Sequence, residues 1–211
     1  TYSESIGTGF FIDLEGHLLT NFHVIDQSII NYIQIPKYGN KTFNCDIISI
    51  YPDLDLALLK IKNFKNKKYL KMGNSNKIRR GIESYVVGFP LGQDKYKITS
   101  GIISGYQDGD IQTDSPINRG NSGGPLVDEN INVIGINYAG YDDAQNVGYA
   151  IPINYVKYIL DDMRYMLRIM LENNDEHVFH ILALPLFLNK AQNPQSKRTL
   201  LFQLISFFLL Y

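Results

Sequence analysis

Over the first 150 residues no hydrophobic pattern is sustained for long. Short runs of β-branched and aromatic residues are interrupted about every ten positions by Gly, Asn, Asp or Pro. The runs are TGFFID (8–13), HLLTNF (17–22), IINYIQI (29–35), FNCDIISI (43–50), LALLKI (56–61), ESYVVGF (83–89), YKITSGIIS (96–104), GDIQTD (109–114), GPLVD (124–128), NVIGINYA (132–139) and VGYAIPI (147–153). Segments this short cannot bury themselves singly. They must pair with neighbours through tight turns, which is the pattern of an antiparallel sandwich or barrel. The intervening helices that a parallel βαβ sheet needs are missing. The expected fold class is therefore all-β.

One segment breaks the rule. Val156, Ile159, Leu160, Met163, Met166, Leu167 and Met170 recur at spacings of three and four, behind Asn154 in the place of an N-cap. This predicts an amphipathic helix over 155–171. Docking on the strands is the expected use of its apolar face, and a partner helix the alternative. Residues 1–171 are thus read as one domain and 172–211 as an apolar tail. In the tail, HVFHILALPLFL (177–188) and LLFQLISFFLLY (200–211) each fall short of the ~18–20 residues that span a bilayer, and Pro185 interrupts the first. A membrane-surface anchor, a docking tail and an out-of-frame extension remain open, with a poorly ordered or aberrant tail favoured. The sequence starts at Thr1 without a signal-like segment. It is read as a fragment, and no compartment is assigned.

The 211 residues are 45% hydrophobic, enough for one sizeable core or two small ones sharing a cleft. The formal charge of −1 gives no global basic field to attract nucleic acid. The local run KNFKNKKYLK (62–71) reads as a solvated loop or strand edge, with an anionic partner as the alternative. Cys45 is the sole cysteine, so no internal disulfide can form. It reads as a core residue rather than a nucleophile, and a chain of this kind suits a reducing compartment.

Three positions carry potential chemistry. His23, in TNFHVI, follows a strand among apolar residues. Alone it would be read as a satisfied core histidine. Asp55 directly precedes the apolar run LALLKI, where an unpaired carboxylate would be costly. Such a site suits a carboxylate that orients an imidazole, although alone it is read first as a turn or strand-end cap. Asp53 competes for that role, but its place after Pro52 suits a turn. The third is Ser122 in INRGNSGGPL (117–126). Its glycines permit positive φ and close backbone approach. A turn of this type can aim the amides of Gly120 and Ser122 into one concavity, as an acyl-transfer oxyanion requires. A flexible linker is the rival, but Pro125-Leu126-Val127 leads straight back into a strand.

The order His, Asp, Ser is that of chymotrypsin-type triads. TGFFID, LLTNFHVI, DLALLKI, VVGFPLG, ITSGIIS, IQTDSPINRGNSGGPLVD and VIGINYA…VGYAIPI, in that order, resemble the protease domain of the HtrA (Deg) serine proteases over roughly residues 6–165. The resemblance implies two perpendicular six-stranded β-barrels with the active site between them. It implies catalysis by His23, Asp55 and Ser122 with Gly120 and Ser122 as oxyanion donors, on polypeptide substrates and without a metal or organic cofactor. It further implies that Ile117 lies at the specificity pocket and that Ile136, Asn137, Tyr138 and Ala139 form a wall strand. An extended substrate would add to that strand, with small or medium aliphatic residues preferred before the cleaved bond.

Some features depart from the relatives. Where digestive chymotrypsin-like enzymes carry an Asp that pairs with a newly cut N-terminus, this chain has the uncharged Asn121. The forty or so residues after the helix fall short of the ~90 of a PDZ domain. The segment from Ser104 to Ile111 is short where HtrA proteins often carry a regulatory loop. The resemblance leaves a homo-oligomer, the family's trimer, open, and these departures weigh against it. A catalytically silent chaperone or binding module is the alternative to an active endopeptidase.

Overall fold

The computed structural model describes residues 6–26, 32–140 and 146–173. The apolar tail from 174 onward lies outside the described residues. The chain divides into two units, Thr1–Tyr155 and Val156–Tyr211. The first holds all the strands among the described residues.

Its N-terminal half contains β1 (Phe10–Phe11), β2 (His17–Thr20), the single helical turn α1 (Phe22–Ile25), β3 (Tyr32–Gln34), β4 (Thr42–Tyr51) and β5 (Leu56–Ile61). The five strands form an antiparallel sheet in the order β1-β2-β5-β4-β3, a half-barrel. Its C-terminal half contains β6 (Glu83–Gly88), β7 (Lys97–Gln107), β8 (Asp110–Thr113), β9 (Pro125–Val127), β10 (Val133–Gly140) and β11 (Gly148–Pro152). These close into a six-stranded barrel in the order β10-β11-β8-β7-β6-β9. The all-β expectation is met, with one closed barrel and a half-barrel among the described residues. Each segment expected to be a strand contains one, since alternation of apolar and polar side chains is what a half-buried strand needs.

The closed barrel is filled by Val86, Ile103, Ile111, Leu126, Ile134 and Ala150. The half-barrel buries Leu18, Ile25, Ala57, Leu59 and Ile61 and adds aromatic rings. Phe11 stacks on Phe64 at 5.5 Å, and Phe43 meets Phe64 edge-on at 5.4 Å. Cys45 packs against this core. Burial, helped by the charge of Asp46, pushes its thiol up to about 11, so the core reading suits it and a thiolate does not form near neutrality.

The last helix, α2 (Ile153–Asn173), begins two residues earlier than the sequence spacing suggests. Asn154 is consequently not its N-cap. The side chain reaches across the fold instead. Its Oδ1 accepts the Ser75 amide at 3.2 Å, and its Nδ2 donates to Asn74 Oδ1 at 3.0 Å. A long-range pair of partners has replaced the local cap. No helix among the described residues is long and apolar enough to cross a membrane.

Candidate active site

β2 ends at Thr20, and Asn21 turns the chain into α1, which carries His23. Asp55 sits after the 3-10 turn Pro52–Leu54 in left-handed conformation (φ 50°, ψ 42°), immediately before β5. Asp and Asn are among the few side chains that tolerate this region. The turn aims the carboxylate at α1. Asp55 Oδ2 lies 2.7 Å from His23 Nδ1, and Asp55 Oδ1 accepts the His23 backbone amide at 2.8 Å. Asp53 lies exposed within the turn itself. Asn21, fully buried, donates from Nδ2 to the Asp55 carbonyl at 2.9 Å, and the Phe22 amide donates to the same oxygen at 3.1 Å. Both side-chain and backbone positions of Asp55 are thus held. The imidazole remains open to solvent, with its side chain 48% exposed against 27% for Asp55.

Ser122 lies in the loop between β8 and β9. Gly120 has φ 94°, and a Cβ there would stand 2.3 Å from the Phe89 carbonyl oxygen. Gly123 has φ 82°, and a Cβ there would stand 2.2 Å from Thr20 Oγ1. Only glycine meets both the angle and the space at these positions. The second contact also brings the serine loop against the segment that leads into α1. Amides around Ser122 are nearly all engaged: Asn121 donates to the Asn118 carbonyl, Gly123 to that of Asn137 and Gly124 to that of Asn121. Gly120 and Ser122 differ. Their amides have no acceptor among the described residues. These are two unengaged backbone donors on either side of Asn121, the group type that an anionic oxygen needs.

The serine hydroxyl does not bond to the imidazole here. Ser122 Oγ donates to the Tyr138 carbonyl at 3.3 Å. Long or misaligned bonds of this type are common in unliganded catalytic sites.

Other residues expected at the site fall into distinct places. Ile117 packs against the barrel core, with its Cδ1 2.6 Å from where a Cβ on Gly148 would lie. Ile136 and Asn137 are fully buried. The Ile136 side chain is part of the buried core, so what this position leaves for a neighbouring chain is its backbone. Asn137 braces the serine loop: its amide and its Nδ2 both donate to the Gly124 carbonyl, at 2.9 and 3.0 Å. A register shift between Asn137 and Ala139 separates these interior positions from the end of the strand. Tyr138 is half-buried, and its hydroxyl donates to Asp110 Oδ2 at 2.8 Å. Burial pushes the Asp110 carboxyl up, opposed by that hydrogen bond. Ala139 pairs with Tyr149 of β11. The β9 ladder along β10 stops at Ile136, while the β11 ladder runs on to Gly140.

A profile of the trypsin-like peptidase domain matches residues 7–136. The chain belongs to the HtrA-type trypsin-like serine proteases. The HtrA-type relatives include the periplasmic serine endoprotease DegP of Escherichia coli, 38% identical over 172 residues, which make up 75% of this chain and 36% of that protein. The chloroplastic Protease Do-like 1 of Arabidopsis thaliana is 35% identical over 173 residues, covering 74% of this chain and 39% of that one. Among solved structures, the HtrA-type protease AlgW with a tripeptide superposes with TM-score 0.68 at 34% identity, over 74% of this chain and 55% of that one. The chain thus spans little more than a third of the length of the curated relatives it matches.

Against that HtrA-type frame, the sequence motifs pointed to the loop and to the histidine but not to the braces around them. Asn21 lies inside TNFHVI and Thr8 inside TGFFID, so both stood in segments already singled out. What hid their roles is that their partners lie 34 and 112 residues away.

Proposed function

We propose that the chain is the protease unit of a serine endopeptidase acting on extended, locally unfolded polypeptide segments. The unit runs from residue 1 through the helix, to about residue 171. The observation that carries this reading is the His23–Asp55 pair, held at 2.7 Å with the second carboxylate oxygen occupied by the His23 amide.

In this mechanism Ser122 Oγ leaves the Tyr138 carbonyl and attacks the peptide carbonyl carbon. His23 Nε2 takes the hydroxyl proton. Asp55 holds the imidazole by Nδ1, fixing its tautomer and stabilising the cation that forms. The carbonyl oxygen gains charge against the amides of Gly120 and Ser122. When the tetrahedral species collapses, the C–N bond breaks and His23 gives its proton to the leaving amine. Water, deprotonated by His23, then hydrolyses the ester on Ser122. The substrate chain is proposed to add beside β10 past the end of β9, with its side chain before the cleaved bond directed toward Ile117. An apolar Ile117 favours small or medium aliphatic groups there and disfavours Arg and Lys.

A second reading, a binding module without turnover, draws on the Ser122–Tyr138 bond, which keeps the hydroxyl away from the imidazole. A fluorophosphonate probe separates the two. Labelling at Ser122 that disappears in His23→Ala supports the endopeptidase. A folded wild-type protein that takes no label supports the silent binder.

A further inference from the structure

We propose that Thr8 is a positioning residue for the oxyanion-binding amides. This rests on the endopeptidase reading above. Thr8 belongs to none of the triad segments, yet it is 6% exposed and sits among three chain segments of the site. Its Oγ1 donates to the Gly120 carbonyl at 2.6 Å and accepts the Phe89 amide at 3.0 Å. Its own amide donates to the Ser122 carbonyl at 2.8 Å, and its carbonyl accepts the Thr20 hydroxyl at 2.8 Å. One hydroxyl supplies a single donor and further acceptor capacity, and Thr8 uses both.

The consequence lies in the peptide between Arg119 and Gly120. This peptide is trans, like every one among the described residues, so its carbonyl and N–H point in opposite directions. The Arg119 carbonyl accepts the Leu91 amide at 2.7 Å. The Gly120 N–H therefore points away from Leu91, where it meets no acceptor among the described residues. If this peptide rotated, the oxyanion would face a carbonyl in place of a donor. Gly120 itself offers little resistance, because glycine at φ 94° crosses readily between conformations. Resistance comes from outside. Thr8 fixes the next peptide by its Gly120 oxygen. Through Phe89 it also anchors the 3-10 turn (Pro90–Gly92) that carries Leu91. Removing the hydroxyl frees both at once and leaves the buried Gly120 carbonyl and the half-buried Phe89 amide without their partner.

The test compares Thr8→Val, which keeps the shape and loses the hydroxyl, with Thr8→Ser, which keeps the hydroxyl. Each is assayed on a peptide substrate, with a peptide boronate as tetrahedral mimic and a cleaved product peptide as ground-state ligand. Thr8→Val should lower kcat by about 10-fold or more, a fraction of what losing a whole oxyanion donor costs, with KM within about twofold. Boronate affinity should fall by the same factor and product affinity should hold. Thr8→Ser should restore kcat to within about threefold of wild type. Should Thr8→Val not fold, Thr8→Cys, a weak donor of similar size, is read in its place. A valine variant as active as wild type overturns the proposal, as do equal losses of boronate and product affinity. A serine variant as impaired as the valine one also overturns it. Wild type that neither cleaves nor takes the fluorophosphonate label would instead overturn the endopeptidase reading.

Discussion

The half-barrel of β1–β5 builds its interior partly from rings, with Phe11, Tyr38, Phe43 and Phe64 in mutual contact. The closed barrel of β6–β11 has an aliphatic interior and, within it, three fully buried hydroxyls on Ser84, Thr113 and Ser115. These bond to one another and discharge their protons onto the Ile102 and Ser84 carbonyls. The two halves also hold their shares of the site differently. His23 and Asp55 are fixed by short bonds within the half-barrel's own turns. The Ser122 loop is fixed from its own barrel by Phe89 and Asn137 and from the N-terminal half by Thr8 and Thr20. The lesson is that the His23–Asp55 pair is held inside one half of the first unit, whereas the Ser122 loop is held by both halves.

The sharpest way to break that contrast is at Gly120. Gly120→Ala places a Cβ against the Phe89 carbonyl in a conformation that L-residues avoid. It should reduce kcat about 100-fold or more, while near-native circular dichroism persists. Activity within a few-fold of wild type would mean the loop is not held as described.

A smaller effect separates the two interiors. Ile134→Ala, in the fully enclosed barrel, should cost about 2–5 kcal/mol in denaturant unfolding. Phe64→Leu in the half-barrel replaces a partly exposed ring and should cost about 1 kcal/mol. Equal costs would remove the distinction between a closed and an open core.

The smallest effect is electrostatic. His17, buried at the start of β2, has Nδ1 2.5 Å from Asp13 Oδ2 and stands opposite Lys60 in the ladder. Burial pushes its imidazole down, opposed by Asp13 and Glu15 and aided by Lys60. Burial pushes Asp13 up, but the hydrogen bonds and charge of His17 outweigh it and leave the carboxyl below its ordinary value. The signs follow by linkage. The folded chain keeps His17 neutral at a pH where the unfolded chain protonates it, so this contribution is complete above about 6.5 and is lost as pH falls below that. The Asp13 contribution is lost lower, as pH falls below about 4. The melting temperature should drop by a few degrees from pH 7 to pH 5 in the wild type and less in His17→Gln. A wild-type profile flat over that range would contradict the assignment.

Much of this was legible before the fold was known, and the misses share one cause. β5 coincides with LALLKI because apolar periodicity is a local signal. Asp55 could be preferred to Asp53 from its place before that strand. Asn154 was misread as a cap because the capping rule looks only along the chain, while its partner Ser75 lies 79 residues away. The register shift after Asn137 also leaves no mark in the residue pattern. Thr8 was visible only as part of a quoted segment, since nothing local says that its hydroxyl will meet Gly120.

The central claim is that Ser122 and His23 act as one catalytic unit, and its most direct test is a double-mutant cycle on kcat/KM. Ser122→Ala and His23→Ala should each cost about 10⁴-fold or more, and the double variant should lose little beyond either single one. Losses that multiply in the double variant, or a His23→Ala enzyme that retains most of its turnover, would contradict the account.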